Sequence, residues 1–302
     1  MEASRATTAD ALALGGVRQV LADYVTLTKP RVQLLLLLTT VTTMYVAGDP
    51  SASLVALTVV GGSLSAGGAA AVNHYWDRDI DAQMARTATR PVPSGRVAPR
   101  AALVYGLVLA ALSFLLLATT VNLLAAFLAL GGFLGYVFVY TIWLKRSTPQ
   151  NIVVGGAAGA VPPLVGWAAV TGGLDPAALY LFAIVFYWTP PHFWALSLLM
   201  KDEYARVGVP MMPVVHGEAE TRRQIVLYTT LLVVLTLLPV VFGFFGAIYA
   251  TAAVLLGGAF LTLAVRLQRR ADRRSALRTY LYSLAYLALL FGAMVVDARV
   301  LG

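Results

Sequence analysis

The chain has 302 residues, of which 59% are hydrophobic and only 12% charged, with a mean hydropathy of +0.79. Soluble globular domains carry about 25% charged and about 45–50% apolar residues, so this composition excludes an ordinary water-soluble enzyme, a disordered chain and a nucleic-acid binder. The remaining charge is lopsided, Lys+Arg 22 against Asp+Glu 14 for a net +8, and the absence of cysteine excludes disulfides, thiolate metal sites and cysteine nucleophiles.

The first 24 residues hold Glu2, Asp10 and Asp23 and no long apolar run, and are expected to be a cytoplasmic N-terminal segment without a cleaved signal or an acid-poor transit peptide. A membrane-spanning helix needs about 20 mostly apolar residues. Spans of that kind are expected at roughly 25–47, 53–73, 101–118, 121–143, 152–170, 177–199, 224–245, 247–266 and 280–297. The expected fold is an all-α integral membrane protein, a nine-transmembrane-helix bundle forming one domain over 25–298, with a central cavity capped by cytoplasmic loops. Its longer links would be about 74–100, 200–223 and 267–279.

Placing the cations on this map puts every Lys and Arg except Arg299 on one side of a nine-helix arrangement. By the positive-inside rule the N-terminus and both long loops are then expected in the cytoplasm and the C-terminus outside. The +8 excess sets orientation and does not mark a nucleic-acid surface. Gly61, Gly62, Gly67 and Gly68 in the second span, and Gly155, Gly156 and Gly159 in the fifth, are expected at close helix contacts. The pairs Pro162-Pro163 and Pro190-Pro191 are expected to kink or break helices lining a cavity.

Five of the 14 carboxylates fall in two clusters, each at the expected cytoplasmic end of an even-numbered span. In the first, Asn73, Asp77 and Asp81 are spaced i, i+4, i+8 and stack on one face if the second helix continues, with Asp79 turned away. In-line carboxylates repel one another and need a cation. Hard oxygen donors without cysteine point to Mg²⁺, or Mn²⁺, shared with a substrate's phosphates. Arg86 and Arg90 follow as phosphate partners. The second cluster, Lys201-Asp202-Glu203-Tyr204-Ala205-Arg206, has the composition of the other half of a diphosphate clamp: Asp202 and Glu203 for metal, Lys201 and Arg206 for phosphate. His74, His192 and His216 are each more simply core or loop residues than ligands. Phe186, Tyr187, Trp188, Phe193 and Trp194 either shield a carbocation or pack.

The run from Asn73 to Asp81 resembles the first aspartate motif of the UbiA-type intramembrane prenyltransferases. Tyr75–Asp81 with Arg86-Thr87 and Arg90-Pro91, Thr148–Pro163, Trp188–Ser197 and Tyr204–Val214 are similar to the protohaem IX farnesyltransferase (haem O synthase) branch of that family. The resemblance covers about residues 25–295. It implies farnesyl diphosphate and haem b as substrates, haem O as product, and Mg²⁺ on Asn73, Asp77 and Asp81. It also implies Arg86 and the second loop's cations on phosphate, a prokaryotic cytoplasmic membrane, and haem A synthase or terminal oxidase assembly downstream. His192, His216 and His74 become possible haem contacts. One departure is that the second loop has Met200 and Tyr204 where the wider family often has aspartates, leaving Asp202 and Glu203 as alternatives. The rival readings are a prenyltransferase for an aromatic, quinone-type acceptor and a membrane transporter.

Overall fold

The structure, a computed structural model, describes residues 16–301; Glu2, Arg5 and Asp10 lie outside it. No strand is present among the described residues. After a helical stretch at 16–27, the chain turns at Lys29, which adopts a left-handed φ of 52°. Pro30 then opens α1 (Pro30–Ala47): proline has no N–H to leave unpaired in a first turn, and its φ is already helical. Helix α2 (Ala52–Trp76) is capped by Ser51 Oγ, which accepts from Leu54 N at 3.2 Å.

The expected continuation of α2 through Asp81 is interrupted. Asp77 sits at φ −88°, ψ 7°, and a separate six-residue helix, α3 (Arg78–Gln83), follows. The i→i−4 bonds Asp77 N–Asn73 O (2.9 Å) and Asp81 N–Asp77 O (2.8 Å) nevertheless carry across the joint. Asn73, Asp77 and Asp81 therefore stay in succession while the axis bends.

Helix α4 (Pro99–Thr120) returns, and α5 (Leu123–Leu134) is capped by Asn122 and runs directly into a π-helix over Gly135–Leu144. The fifth span is two helices, α6 (Asn151–Gly159) and α7 (Val161–Thr171), broken at Ala160 just before Pro162-Pro163, as expected of that pair. Helix α8 (Pro176–Leu199) instead runs unbroken through Pro190-Pro191. Prolines inside a helix remove donors without ending it where neighbouring helices hold the backbone.

The second long loop forms α9 (Lys201–Arg206) and α10 (Met212–Val215). Helix α11 (Gly217–Val241) begins seven residues earlier than the expected 224, with Glu218 and Glu220 facing the positive end of its dipole. Helices α12 (Ala247–Arg270) and α13 (Arg273–Leu301) nearly abolish the expected 267–279 link, because arginines favour helix and suit a helix C-terminus.

Eight spans among the described residues are long and apolar enough to cross a bilayer, so the count of nine is not reached on that criterion. The exception is α8, whose second half is Tyr187-Trp-Thr-Pro-Pro-His192. From Tyr180 to Lys201 no residue of α8 or its exit is exposed. A helix shielded on all sides has no need of a uniformly apolar surface.

Helix α1 packs on both α7 and α13, so the first and last long helices meet and the bundle closes. Helices α2 and α4 cross backbone to backbone, a Cβ on Gly68 falling 2.6 Å from the Gly106 carbonyl oxygen, as do α1 and α7, where a Cβ on Gly166 would lie 2.4 Å from the Thr40 carbonyl oxygen. Gly61 and Gly67 of α2, and Gly155 and Gly156 of α6, also lie against neighbouring side chains, whereas Gly62 is in ordinary contact and Gly159 faces open space. The main apolar core joins α7, α8, α11, α12 and α13 around Trp188, Tyr249, Phe260, Tyr286 and Phe291.

Candidate active site at the joint between the second helix and the first loop

The bend at Asp77 gathers charge. Asn73, Asp77 and Asp81 are 3%, 1% and 4% exposed, so three oxygen-bearing side chains are withdrawn from water at one helix end. Their partners come from distant parts of the chain. Lys29 Nζ donates to Asn73 Oδ1 at 2.7 Å, Asn73 Nδ2 donates to Asp77 Oδ2 at 2.7 Å and to Thr141 Oγ1 at 3.2 Å, and Lys145 Nζ pairs with Asp77 Oδ2. Arg146 approaches Asp77 Oδ1 at 3.5 Å and forks onto both oxygens of Asp79 at 2.7 and 2.8 Å. Arg90 Nη1 holds Asp81 Oδ2 at 2.7 Å.

Local sequence explains each placement. The left-handed turn at Lys29 lies at the mouth of α1, and the lysine's stem runs inward to Asn73. The π-helix keeps its wider spacing to its end, where Lys145 N bonds Tyr140 O, five residues back. It thereby presents Thr141 and Lys145 on the face toward Asn73 and Asp77. π-helical turns concentrate at functional sites for this reason: they re-aim side chains that an α-helix would send elsewhere.

The electrostatics follow from the geometry. Burial holds Lys29 down at about 7, helped by the Arg90 and Lys145 charges and opposed by Asp81 and Asp77. Its hydrogen bonds to Arg146 hold Asp79 at about 2, well below the usual carboxylate range. Burial pushes the Tyr204 phenol up, against the charges of Lys145, Arg86 and Arg90 and with that of Glu203. Groups of both loops thus act on one side chain. Tyr204 packs with Ile80 and Met84 of the first loop and with Ile152, Val209 and Met211, fastening the two loops together.

Among the described residues no three carboxylates and histidines form a ready metal cage. The donor chemistry nevertheless suits a hard divalent cation. Among the described residues Glu203 Oε2 is buried with no hydrogen-bond partner, and Asp77 Oδ1 has no hydrogen bond and only the Arg146 guanidinium at 3.5 Å. Buried carboxylate oxygens so weakly matched are costly unless a further positive group is to face them. This separates the two alternatives in the second cluster, since Asp202 is exposed. Magnesium bound by one or two carboxylates and completed by water and phosphate needs no fuller cage.

Of the other expected residues, Arg86 is exposed and its charge acts on Tyr204 alongside those of Lys145 and Arg90, Arg206 is exposed, and Lys201 pairs with Glu218 at 3.1 Å. His216 is exposed. His74 is buried beside Asn73 with both ring nitrogens unpartnered, and His192 lies in α8, bonded through Nδ1 to Ser283 at 2.7 Å. The reading of the sequence missed Lys29, Thr141, Lys145, Arg146 and Tyr204. A Lys-Arg pair closing an otherwise apolar span was the available signal for Lys145 and Arg146, and the departure from the family's acid was the signal for Tyr204; Thr141 left none.

A model of the UbiA prenyltransferase family matches residues 36–290. A protein named protoheme IX farnesyltransferase from Roseiflexus sp. (strain RS-1) is 56% identical over 290 residues, and one of the same name from Symbiobacterium thermophilum is 54% identical over 283. The alignments cover 95% and 92% of this chain. The chain spans 54% of the Roseiflexus protein's length, about half, but 95% of the Symbiobacterium protein's. Among solved structures, a digeranylgeranylglyceryl phosphate synthase superposes with a TM-score of 0.76 at 17% identity, covering 92% of this chain and 98% of that one. A UbiA homologue from Archaeoglobus fulgidus bound to DMAPP and Mg²⁺ gives 0.71 at 18% identity, with 90% and 99% covered.

Proposed function

The chain belongs to the UbiA prenyltransferase family, and on that premise we propose that it is a Mg²⁺-dependent enzyme that transfers the farnesyl group of farnesyl diphosphate to a vinyl group of haem b, making haem O and diphosphate. The acceptor is supported by the name shared by relatives of 54–56% identity. The donor chemistry is supported by one observation above the rest: the buried Asp77, whose Oδ1 makes no hydrogen bond among the described residues, at the place where Lys29, Arg90, Lys145 and Arg146 gather. Lys29, Arg90, Lys145 and Arg146 are matched in number by Asp77, Asp79, Asp81 and Glu203, so a diphosphate is best accommodated together with a divalent cation.

Asn73, Asp77, Asp81 and Glu203 are the residues that would hold the ion, and Mg²⁺ bound there supplies Lewis-acid stabilisation of a departing diphosphate. Lys145, Arg146 and Arg90 take up the negative charge that grows on the leaving oxygens as the allylic C–O bond breaks, so no protein nucleophile is required. The terminal vinyl carbon of haem b forms the new C–C bond. Water then adds to the other vinyl carbon and loses a proton, leaving the hydroxyl. Until then water must be kept from the farnesyl cation, a task suited to the half-buried aromatic side chains of α8, among them Phe186, Tyr187 and Phe193.

The distribution of cations, with only Arg299 apart from the rest, supports an active site opening to the cytoplasm, and the family match over 36–290 supports a single catalytic domain over 25–298. Incubating purified protein with farnesyl diphosphate, haem b and Mg²⁺, then extracting the haem for mass spectrometry, tests the reading. Equimolar haem O and diphosphate are expected, and both are lost in Asp77→Ala. Prenylation of a quinone-type phenol but not haem b would overturn the acceptor.

A further inference from the structure

Where the apolar core reaches toward the carboxylate site, α8 and α13 bring together Trp188, His192, Tyr280 and Ser283. The His192 ring is stacked on Trp188, with centroids 4.3 Å apart and planes at 18°, and on Tyr280, at 5.0 Å and 29°. Its Nδ1 lies 2.7 Å from Ser283 Oγ, and Ser283 itself is wholly buried. Ser283 Oγ also lies 2.6 Å from the Tyr280 carbonyl oxygen. A carbonyl only accepts, so the single hydroxyl proton is committed there, and the bond from His192 must be Nδ1–H donating to Ser283 Oγ. The remaining nitrogen, Nε2, therefore carries a lone pair and no proton.

That nitrogen makes no hydrogen bond among the described residues and, unlike the ring nitrogens of His74, is not fully sealed in the interior. His192 is half-buried on a helix that has no exposed residue from Tyr180 to its end, so its Nε2 is turned away from open solvent. It lies seven residues from the end of α8, which at 1.5 Å per residue is about 10 Å below the loops. The next residue, Phe193, packs on the apolar cluster of Ile80, Met84 and Tyr204 that floors the carboxylate site.

We propose that His192 Nε2 is an axial ligand to the iron of the porphyrin acceptor, and that Ser283 is the positioning residue that fixes its tautomer. The proposal rests on the reading of haem b as acceptor. Histidines that bind metal through one nitrogen are held by a hydrogen bond from the other, and the stack on Trp188 and Tyr280 restrains ring rotation. Because Nε2 bears no proton, ligation releases none. As that ligand, His192 would fix the distance of the porphyrin from the carboxylate site, while the choice of vinyl group would fall to the residues that line the rest of the ring.

The test is the absorption and electron paramagnetic resonance spectrum of the full-length protein loaded with haem b. The wild type is expected to give a histidine-ligated spectrum, retained in Asp77→Ala although turnover is gone. His192→Gly should lose that spectrum and recover it, with part of the turnover, on addition of imidazole. Ser283→Ala should weaken haem binding about 10-fold. A wild-type spectrum and turnover in His192→Gly, or loss that imidazole does not restore, overturns the ligand assignment while haem O production by the wild type leaves the functional reading intact. A wild type that neither binds nor prenylates haem b defeats both.

Discussion

Lys145 at the end of the π-helix is salt-bridged to Asp77, 68 residues earlier at the exit of α2. Asp77 is 1% exposed, and the pair ties the two halves of the charged site together across the end of the bundle. Replacing Lys145 by methionine keeps much of the stem and removes the charge. The expected result is a fall in kcat of about 10²–10³-fold, the usual cost of one charge-stabilising donor. Steady-state assay of diphosphate release checks it, and a fall confined to KM would contradict a role in stabilising the leaving group.

The second cluster offers a sharper discrimination. Glu203 Oε2 is buried and unpartnered while Asp202 is exposed. Glu203→Gln is therefore expected to raise the Mg²⁺ concentration needed for half-maximal activity by at least about tenfold, and Asp202→Asn to leave it near wild type. A titration of activity against free Mg²⁺ after chelation decides between them. The reverse order of the two variants would reassign the ligand.

Acid lability is set partly by Asp79. Arg146 holds its carboxyl at about 2 in the folded protein, against about 3.9 in an unfolded chain. A depressed carboxylate contributes its full stabilisation above pH 4 and loses it as pH falls from about 4 to about 2. Asp79 is largely exposed, so solvent screening keeps the effect small. The thermal midpoint of Asp79→Asn should fall less than that of the wild type over this interval.

The crossing of α2 and α4 leaves no room for a side chain. Gly68→Ala would set a methyl 2.6 Å from the Gly106 carbonyl, forcing the helices apart at a cost of about 1–3 kcal/mol. Unfolding in detergent should show the loss, with Gly62→Ala, whose nearest neighbour would be 3.7 Å away, as the near-neutral comparison.

At the opposite end of the bundle, Asp297 is 2% exposed and accepts from Gly246 N at 2.6 Å and Tyr249 N at 3.1 Å, closing the first turn of α12. Asp297→Ala strands two donors and is expected to cost about 1–3 kcal/mol. The Mg²⁺ dependence of the remaining folded enzyme should be unchanged.

Much of this architecture was legible in residue order, because apolar runs and charge asymmetry are properties of the chain itself. The spans lie close to where hydropathy puts them, and Asn73, Asp77 and Asp81 do converge. What could not be read depends on partners. Pro190-Pro191 were expected to break α8, but breaking depends on whether neighbouring helices hold the backbone, which no local pattern records. The bend at Asp77 was equally invisible. Lys29 and Lys145 looked like ordinary inside-positive charges, and only the fold shows that their ammonium groups turn inward to Asn73 and Asp77. Tyr204 stands where the family pattern suggests an acid, and its packing against Ile80 and Met84 turns that departure into a fastening between loops.

Helix α8 has a final consequence for how the protein is made. It carries His192 and two prolines, and it falls short of the apolarity that the eight other spans reach. Alone in a bilayer during synthesis, such a segment would partition poorly, since its polar and aromatic face would meet acyl chains. Its neighbours α11 and α13 are translated later. Stable insertion of α8 must therefore wait for the C-terminal third of the chain. A ribosome stalled before α13 should leave a nascent chain whose α8 is still open to protease or to aqueous labelling reagents, while α1 to α5 are already protected.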